Sequence, residues 1–489
     1  MSELTKTEQT ISQTSLLKER EPLRGKVLST HFISRGTDGV SLQMQEINTY
    51  LKSNGWDVFE CSSDCPEDGN GLRIPMMNHC LDEVVQLKKQ IFTPDIADPS
   101  KVNGLMDLLE KQSRIVQDEV EKYIDREGIR IVHIRNVFSL PENLAATLAF
   151  YRIAEKRPDL IFVSQSHDLA KEPIRAHKYE TPYPEFQRLL DKIINPVLPN
   201  IKNVVIHSQG GKFFEGNDCS IIPDAFDFSM ERARPNNKNG FRKEMGIGEN
   251  DLIVGVMTRI VERKGIEFAI QYVKKLQEQR HNLASIGHGI GLKERKFDEN
   301  SRIILALVQK EDLPQNMDYY KKLLEFAKQQ GVDLRYFGHH VVADSRYRGE
   351  SDKYPFYSTY GSMDIICYPP YWEGFGNQLL EAVWAGYVPV LFEYPVFKSD
   401  IAKNIRNFIS LGDSYEDQPS GLKAIPWPNA DTAANKTIQM FRSPEIARLW
   451  AAQNLSNARS HYDINVVGKQ YLGLFSGLLE KASVKVDSL

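Results

Sequence analysis

The stretch Tyr368-Pro-Pro-Tyr-Trp-Glu-Gly-Phe-Gly-Asn-Gln-Leu-Leu-Glu-Ala382 carries more information about the fold than any other part of the sequence. The apolar run 364–368 that leads into it predicts a short, buried strand of a parallel sheet. Asn377 is a suitable N-cap for the amphipathic helix that follows. Open α/β sheets bind their ligands at the carboxyl ends of the strands. The stretch therefore predicts an α/β fold with a ligand site in this loop.

Two glutamates lie on either side of the glycine-rich part of this loop. Glu373 is in the loop itself, and Glu381 follows about one turn into the predicted helix. Gly374 and Gly376 leave backbone N–H groups uncovered at the helix N-terminus, where anions bind. Carboxylates accept hydrogen bonds from hydroxyls and amides donate to phosphates, so the loop suits a ligand that carries both. An ordinary glycine turn with both glutamates in solvent is the alternative.

Alternating strand and helix signals divide the chain into two α/β regions. The predicted strands of the first region are 26–31, 57–60, 129–133, 160–163 and 203–206, with helices that include 40–51 and 142–155. The predicted strands of the second region are 252–257, 302–307, 332–336, 364–368 and 388–391. We place a linker at 231–239 and read 62–99 as an insertion, whereas 281–300 has no assignable structure.

The composition is typical of a large, soluble enzyme. With 489 residues, of which 41% are hydrophobic and 26% charged, the chain can bury two cores. A formal net charge of -4 argues against nucleic acid as the main partner. The sequence shows neither an apolar stretch long enough for a membrane span nor the apolar core of a signal peptide. We therefore expect a cytoplasmic protein with a disordered tail at 1–22 and with free thiols at its scattered cysteines.

A basic loop follows the first strand of the second region. Arg259 and Lys264 lie five positions apart in it, and Gly265 precedes the next helix. Arg259 offers a planar fork of donors, Lys264 a mobile point charge, and the helix a positive dipole end. This combination predicts a diphosphate site that needs no metal ion. A solvated basic loop is the alternative.

The loop 34–41 of the first region is a candidate for the opposite side of the site. It contains Arg35, Gly36 and Gly39 between a strand and a helix, so that its backbone can approach a phosphate. The loop lacks the spacing of a dinucleotide fingerprint or a Walker motif, and by itself it is a weak signal.

A histidine and a basic cluster follow a later strand of the first region. For His167, a catalytic role and a structural role are equally open from its position at the end of a strand. Lys171, Arg175, His177 and Lys178 come shortly after it. They form either an anion site or the solvated face of a helix.

Taken together, these motifs resemble the retaining family 4 glycosyltransferases of the two-domain GT-B architecture. The family signature is E-G-F-G-x-x-x-x-E-A, followed by a small residue, a glycine and a short Pro-Val strand. This chain has the signature at 373–382 and continues with Ala385-Gly-Tyr-Val-Pro-Val390. The segment 220–227 also resembles the I-P-N-G-V-D crossing between the family's domains, with Asp224 and Ala225 in place of Asn-Gly.

The resemblance implies two Rossmann-like domains that face each other across a cleft. The N-terminal domain, expected at 23–230, would bind the acceptor, and the C-terminal domain, expected at 231–460, would bind the donor. A helix within 461–489 would return to the N-terminal domain.

The resemblance also implies roles for the site residues. Arg259 and Lys264 would grip the diphosphate of a nucleotide-sugar donor, and Glu381 would bind its ribose. Glu373 would bind the sugar hydroxyls and, with His167 above the sugar, would be a catalytic residue. The other expected donor-binding residues are Gly39, Gly374, Phe375, Gly376 and Asn377. The expected acceptor-binding residues are Arg35, Lys171 and Arg175.

The implied reaction is the anomer-retaining transfer of a hexose from a GDP- or UDP-hexose to a small hydroxylated acceptor, with no cofactor. Residues 37–42 and 393–397 resemble a subgroup that glycosylates compatible solutes such as glucosylglycerate, and the basic cluster favours an anionic acceptor. A nucleotide-sugar 2-epimerase of the same architecture and a non-catalytic nucleotide-sugar sensor are the alternatives.

Overall fold

The structure, a computed structural model, describes residues 25–486 apart from 67–68, 95–96, 215, 217, 231–239, 287–295, 311–312 and 345–351. The predicted tail 1–22 and the predicted linker 231–239 lie outside the described residues. Two parallel sheets organise the chain, and we call the parts of the molecule built on them the N-terminal half and the C-terminal half.

A seven-stranded sheet, in which every neighbouring pair of strands is parallel, forms the N-terminal half. Its strands are β1 (Lys26–Thr30), β2 (Asp57–Ser62), β3 (Gly71–Arg73), β4 (Ile131–Arg135), β5 (Ile161–Ser166), β6 (Ile201–Val205) and β7 (Cys219–Ile221). They lie in the order β3-β2-β1-β4-β5-β6-β7, so the direction in which strands are added reverses between β1 and β4. Such a reversal leaves a crevice at the carboxyl ends of the two strands.

Helices pack on both faces of this sheet. They are α1 (Gly39–Ser53), α2 (Asp82–Phe92), α3 (Val102–Glu127), α4 (Leu144–Lys156), α5 (Pro184–Ile193) and α6 (Ser208–Gly211). Alternate side chains of a strand point to opposite faces. Leu28 and Val132 accordingly lie in a core with α2–α5, while Val27 and Ile131 lie in a core with α1.

The region 62–99, which the sequence suggests is an insertion, adds the edge strand β3 and helix α2 to this half. The next helix, α3, is not predicted from the sequence although it has 26 residues. Its buried residues Leu105, Leu109, Val116 and Val120 recur at helical spacing and face α4 and the sheet.

A six-stranded parallel sheet forms the C-terminal half. Its strands are β8 (Leu252–Met257), β9 (Ile303–Val308), β10 (Asp333–Tyr336), β13 (Ile365–Tyr368), β14 (Val390–Leu391) and β15 (Ile409–Ser410), in the order β10-β9-β8-β13-β14-β15. Two small two-stranded sheets pair β11 (Val341–Val342) with β12 (Tyr354–Pro355) and β16 (Glu416–Asp417) with β17 (Lys423–Ala424). The order of the main sheet reverses between β8 and β13.

The helices of the C-terminal half cover its sheet and then lead back along the molecule. They are α7 (Gly240–Glu244), α8 (Ile266–Glu278), α9 (Arg280–Ala284), α10 (Met317–Gln330), α11 (Phe356–Tyr360), α12 (Asn377–Trp384), α13 (Trp427–Arg442), α14 (Pro444–Tyr462) and α15 (Ile464–Val486). Short 3₁₀ helices occur at Pro75–Met77, Pro99–Lys101, Ala176–Tyr179, Lys212–Phe214, Glu262–Lys264 and Gly338–His340, and a π-helical turn at Phe397–Ile401.

The predicted strands are confirmed, with shifts at their ends. The predicted strand 129–133, for example, is β4 at Ile131–Arg135, whereas 252–257 coincides with β8. In the unassigned segment 281–300 the described residues include most of the short helix α9, and 287–295 lie outside the described residues.

The predicted N-cap of α12 is wrong. Gly376 is the N-cap, and Asn377 is the first helical residue. Gly376 has φ +119°, a conformation that favours glycine. A Cβ atom at this position would also lie only 2.3 Å from the Tyr394 hydroxyl oxygen. The sharp entry into α12 therefore requires glycine at the position before Asn377.

The chain crosses between the two halves at two segments that lie side by side. The Phe226 N–H donates to the Tyr462 carbonyl at 2.8 Å, and the Ile464 N–H donates to the Phe226 carbonyl at 3.0 Å. After the second crossing, α15 packs on α1, where Tyr471 and Phe475 share a core with β1. The last helix is therefore part of the N-terminal half in space.

All five cysteines are free thiols, as expected from the sequence. Cys61, Cys65 and Cys367 are buried, which accounts for their presence by packing alone. None of the described helices is both long and apolar enough to cross a lipid bilayer.

Candidate functional site

The carboxyl ends of the two sheets open into a shared cleft with a volume of about 790 Å³. The loops after β1, β4 and β5 form one side, which we call the N-terminal wall. The loops after β8, β9 and β13 form the other side, the C-terminal wall. Each wall therefore contains the place where the strand order of its sheet reverses, which is where open α/β sheets bind ligands.

The two walls approach each other closely at glycines. A Cβ atom on Gly374 would lie 3.1 Å from the His167 carbonyl oxygen of the opposite wall. A Cβ atom on Gly39 would lie 3.4 Å from Nδ2 of Asn377. Glycine at these positions lets the backbones of the two walls come within contact distance of each other.

Glu373 lies in the C-terminal wall between two cations. Its Oε1 accepts a hydrogen bond from Arg263 Nη1 at 2.7 Å, and its Oε2 accepts one from Lys264 Nζ. The Tyr368 hydroxyl donates to the same Oε2 at 3.3 Å. Burial raises the pKa of the Glu373 carboxyl, but Arg263 and Lys264 outweigh this and hold the pKa below its usual range. Glu373 is therefore an oriented carboxylate.

Arg263 joins the loop after β8 to the loop after β13. Besides Glu373, its guanidinium donates to the Trp372 carbonyl at 3.2 Å. In return, its own carbonyl accepts the Tyr371 N–H at 3.1 Å. Sequence reasoning missed Arg263, since one more cation beside Lys264 in a basic loop carries no separate signal. The structure shows that this residue fixes the loop that carries Glu373.

The two cations predicted from the basic loop differ in their surroundings. Lys264 is only 2% exposed, whereas Arg259 is exposed in the same wall. Burial, partly offset by Glu373, lowers the pKa of Lys264 to about 8. Within the part of the chain that the structure describes, the Arg259 guanidinium has no ion-pair or hydrogen-bond partner. It is therefore available to an anion in the cleft.

The glycine-rich loop and α12 complete the C-terminal wall. Glu381 is buried, and its Oε2 accepts a hydrogen bond from the Tyr360 hydroxyl at 2.7 Å. The Phe375 ring packs on Tyr462 of the crossing segment, with ring centroids 5.4 Å apart. All expected donor-binding residues line the one cavity: Gly39, Arg259, Lys264, Gly374, Phe375, Gly376, Asn377 and Glu381.

His167 stands in the N-terminal wall and is 4% exposed. Its Nδ1 lies 3.0 Å from Oδ1 of Asp224, and its backbone N–H donates to Asn136 Oδ1 at 2.8 Å. Its Nε2 is buried and has no hydrogen-bond partner among the described residues. Asp224 therefore lies directly beside the ring. In the sequence, Asp224 was noticed only because it replaces the asparagine of the family's I-P-N-G-V-D segment.

His31, at the end of β1, is a second histidine of this wall, and sequence reasoning missed it. Its Nδ1 lies 2.9 Å from the Arg135 carbonyl oxygen, which only accepts, so Nδ1–H is the donor. Burial lowers the pKa of His31 to about 4. The ring is thus neutral at pH 7, and its Nε2 can only accept a hydrogen bond. Its position at the strand-order reversal is the signal that could have identified it.

The expected acceptor-binding residues do not come together. Arg35 and Lys171 are not among the residues that line the cavity, and Arg35 forms an ion pair with a glutamate of β2 at 2.7 Å. Arg175 does line the cavity, but its guanidinium is held by ion pairs with Asp168 and Glu172. Its charge is thus already compensated within the wall.

Two parallel-sheet domains that face each other across such a cleft define the GT-B fold. A glycosyltransferase from Rickettsia africae matches with a TM-score of 0.59 at 14% identity, over 93% of this chain and 99% of that chain. Sucrose-phosphate synthase from Thermosynechococcus elongatus gives a TM-score of 0.58 at 13% identity, over 94% and 100% of the two chains. Anabaena HepE in complex with UDP and glucose gives 0.54 at 15% identity, over 93% and 100%. These likenesses confirm the predicted fold class.

Two curated proteins are more similar in sequence, and both are mannosylglucosylglycerate synthases. The protein from Petrotoga mobilis is 28% identical over 428 residues, which cover 85% of this chain and 93% of that protein. The protein from Thermotoga maritima is 27% identical over 448 residues, which cover 90% and 97%. No protein-family model matches the chain. The similarity to both proteins extends over both halves of the molecule and is not confined to the glutamate loop.

Proposed function

We propose that this chain is a retaining hexosyltransferase of the family 4 type, which moves a hexosyl group from a nucleotide-diphosphate sugar to a glycerate-type acceptor. One observation carries the proposal. Glu373, held by Arg263 and Lys264, lines the same cleft as the His167–Asp224 pair of the opposite wall. The two curated relatives bear a name that contains mannosyl, glucosyl and glycerate parts. A mannosyl donor and a glucosylglycerate acceptor are therefore the first substrates to test.

The donor binds along the C-terminal wall. Arg259 and Lys264 meet the diphosphate, together with the backbone N–H groups at the start of α12. Glu381 accepts hydrogen bonds from the ribose hydroxyls. Glu373 accepts them from the hexose, because its two oxygens are held at the place where the walls meet. Guanine and uracil remain alternatives for the base of the nucleotide.

The reaction takes place on one face of the sugar. The bond from the anomeric carbon to the phosphate oxygen breaks, and the acceptor hydroxyl oxygen forms its bond from the same side. The acceptor proton passes to the departing phosphate oxygen. The cations of the C-terminal wall stabilise the leaving diphosphate, and His167, which stands beside Asp224, lies over the developing positive charge of the sugar. Contact between the walls excludes water from the reaction.

Transfer to matched acceptors tests this proposal. The full chain is incubated with GDP- and UDP-hexoses and with glucosylglycerate, glycerate or neutral glucosylglycerol, with and without EDTA. We expect a hexosyl-glucosylglycerate, a disaccharide linked to glycerate, by mass spectrometry, with the anomeric configuration of the donor retained by NMR. EDTA should leave the rate unchanged, since the diphosphate is met by side-chain cations.

Three outcomes would contradict the proposal in whole or in part. An epimerised sugar formed from the donor without an acceptor would indicate a nucleotide-sugar 2-epimerase. Tight donor binding with neither transfer nor hydrolysis would indicate a sensor. A product with inverted configuration would contradict the retaining mechanism while leaving the transferase in place.

A further inference from the structure

Besides His167, the N-terminal wall contains several acidic and basic side chains, and many of them form ion pairs. Arg175 forms ion pairs with both Asp168 and Glu172. Glu142 forms an ion pair with Lys88. Asp168, Glu172 and Glu142 therefore already have cationic partners.

Lys178 is the exception. It lies on the 3₁₀ turn Ala176–Tyr179, three residues after Arg175, and it lines the same cavity. Its side chain is exposed and, within the described part of the chain, has neither an ion-pair nor a hydrogen-bond partner. Lys178 thus presents an ammonium on the N-terminal wall that no described carboxylate pairs with.

The place of this charge separates it from the donor site. The cations that suit the diphosphate, Arg259 and Lys264, both lie in the C-terminal wall with Arg263 beside them. Lys178 lies in the opposite wall, in the same segment as Arg175 and close in sequence to His167. A donor held by the C-terminal wall therefore leaves Lys178 for the second substrate.

We propose that Lys178 binds the carboxylate of an anionic acceptor and so selects glycerate-type acceptors over neutral ones. This inference rests on the function proposed above. Lys178 takes the acceptor-binding role that the sequence analysis gave to Lys171 and Arg175. Lys171 is outside the cavity, and the charge of Arg175 is already paired. An ammonium on a flexible stem, without a carboxylate partner among the described residues, suits the carboxylate of a ligand in this cavity.

The chain offers a matched control. Lys171 precedes Lys178 in the same segment, is exposed, and does not line the cavity. Lys178→Gln and Lys171→Gln remove the same charge from nearly the same region, so their difference isolates the contact from the general field of the protein. Thermal unfolding should be unchanged in both variants, because both side chains are exposed.

The test compares glucosylglycerate with neutral glucosylglycerol. Lys178→Gln should raise the KM for glucosylglycerate roughly ten- to a hundredfold, the range for a charged hydrogen bond, and leave the KM for glucosylglycerol and for the donor unchanged. Lys171→Gln should leave all three within about twofold. Equal losses for both acceptors, or a silent Lys178→Gln, would overturn the inference while leaving the transferase function intact.

A binding measurement separates the two proposals. Saturation-transfer NMR records glucosylglycerate on the protein in the presence of a nucleoside diphosphate, without turnover. If the signal is present in the native protein and lost in Lys178→Gln, the inference is supported even where no transfer occurs. If the native protein neither binds nor glycosylates this acceptor, both the inference and the proposed acceptor class are overturned.

Discussion

The two walls of the cleft are built in different ways. The C-terminal wall takes most of its charged groups from two short segments, 259–265 and 373–381, which follow the two strands at the reversal of the strand order. Its central groups are locked together, since Glu373 is bonded to both Arg263 and Lys264. The N-terminal wall gathers single residues from distant loops, and Lys178 remains without a partner among the described residues.

This difference indicates a division of labour. A preorganised array of charges suits a ligand whose charge is always the same, such as a diphosphate, because it needs no reorganisation during the reaction. An exposed lysine without a partner among the described residues suits a variable ligand, since Lys178 can change without disturbing the ion pairs of Arg175. We therefore expect substitutions of Glu373 and Arg263 in the C-terminal wall to affect turnover strongly, and substitution of Lys178 in the N-terminal wall to change the choice of acceptor.

The largest effect is expected for Glu373→Gln. The amide keeps the shape of the side chain but loses the charge that Arg263 and Lys264 hold in place. We expect kcat to fall about a thousandfold, the upper range for a removed transition-state contact, with nucleoside diphosphate binding nearly intact. The control is Glu262→Gln, which neutralises an exposed glutamate of the neighbouring loop outside the cavity. Similar losses in both variants would contradict a specific role for Glu373.

The second-largest effect is expected for Arg263, because its hydrogen bonds fix the loop that carries Glu373. Arg263→Ala removes the bonds to Glu373 and to the Trp372 carbonyl, and we expect kcat to fall roughly a hundredfold through misplacement of Glu373. Arg263→Lys should restore part of this loss because it keeps the charge. Arg259→Ala should instead weaken donor binding. If Arg263→Ala changed only the donor KM, as we expect for Arg259→Ala, Arg263 would not act by positioning Glu373.

The contact between the walls predicts a smaller effect at Gly374. An added methyl group would press on the fixed His167 carbonyl at 3.1 Å, so Gly374→Ala should lower kcat/KM about tenfold by opposing closure. At Gly39 the neighbour is the end of the Asn377 side chain at 3.4 Å, which can move. Gly39→Ala should therefore cost less. Steady-state kinetics decide this, and equal losses would argue against wall-to-wall contact as the cause.

The smallest expected effect is a pH dependence of donor binding. Burial lowers the pKa of Lys264 to about 8, so its ammonium is present below pH 8 and is lost as the pH rises through that value. The donor KM should rise about threefold between pH 7.5 and 8.5, as the protonated fraction falls. In Lys264→Arg the guanidinium stays protonated, and this rise should disappear. A rise that persists in that variant would assign the dependence to another group.

More of the C-terminal wall than of the N-terminal wall could be predicted from the sequence. Apolar runs predicted its strands, and Arg259, Lys264, Glu373 and Glu381 were predicted to share one site, since they lie in the two segments that follow strands β8 and β13. Arg263 escaped notice because its role depends on a contact with a loop more than a hundred positions away.

Less of the N-terminal wall could be predicted from the sequence, and the reason is physical. Whether a lysine or arginine is free depends on which carboxylates the fold brings to it, and sequence spacing does not reveal this. Arg175 looked available, yet Asp168 and Glu172 hold it. His31 owes its neutral form to burial beside the Arg135 carbonyl, which is likewise set by tertiary structure.

The division between the walls can be tested by calorimetry with two ligands and two variants. Nucleoside diphosphate and glucosylglycerate are each titrated into the native protein, Glu381→Ala and Lys178→Gln. We predict that Glu381→Ala weakens only the nucleotide and that Lys178→Gln weakens only the acceptor. If either variant weakens both ligands to the same extent, or if the effects are exchanged, the assignment of donor and acceptor to opposite walls is wrong.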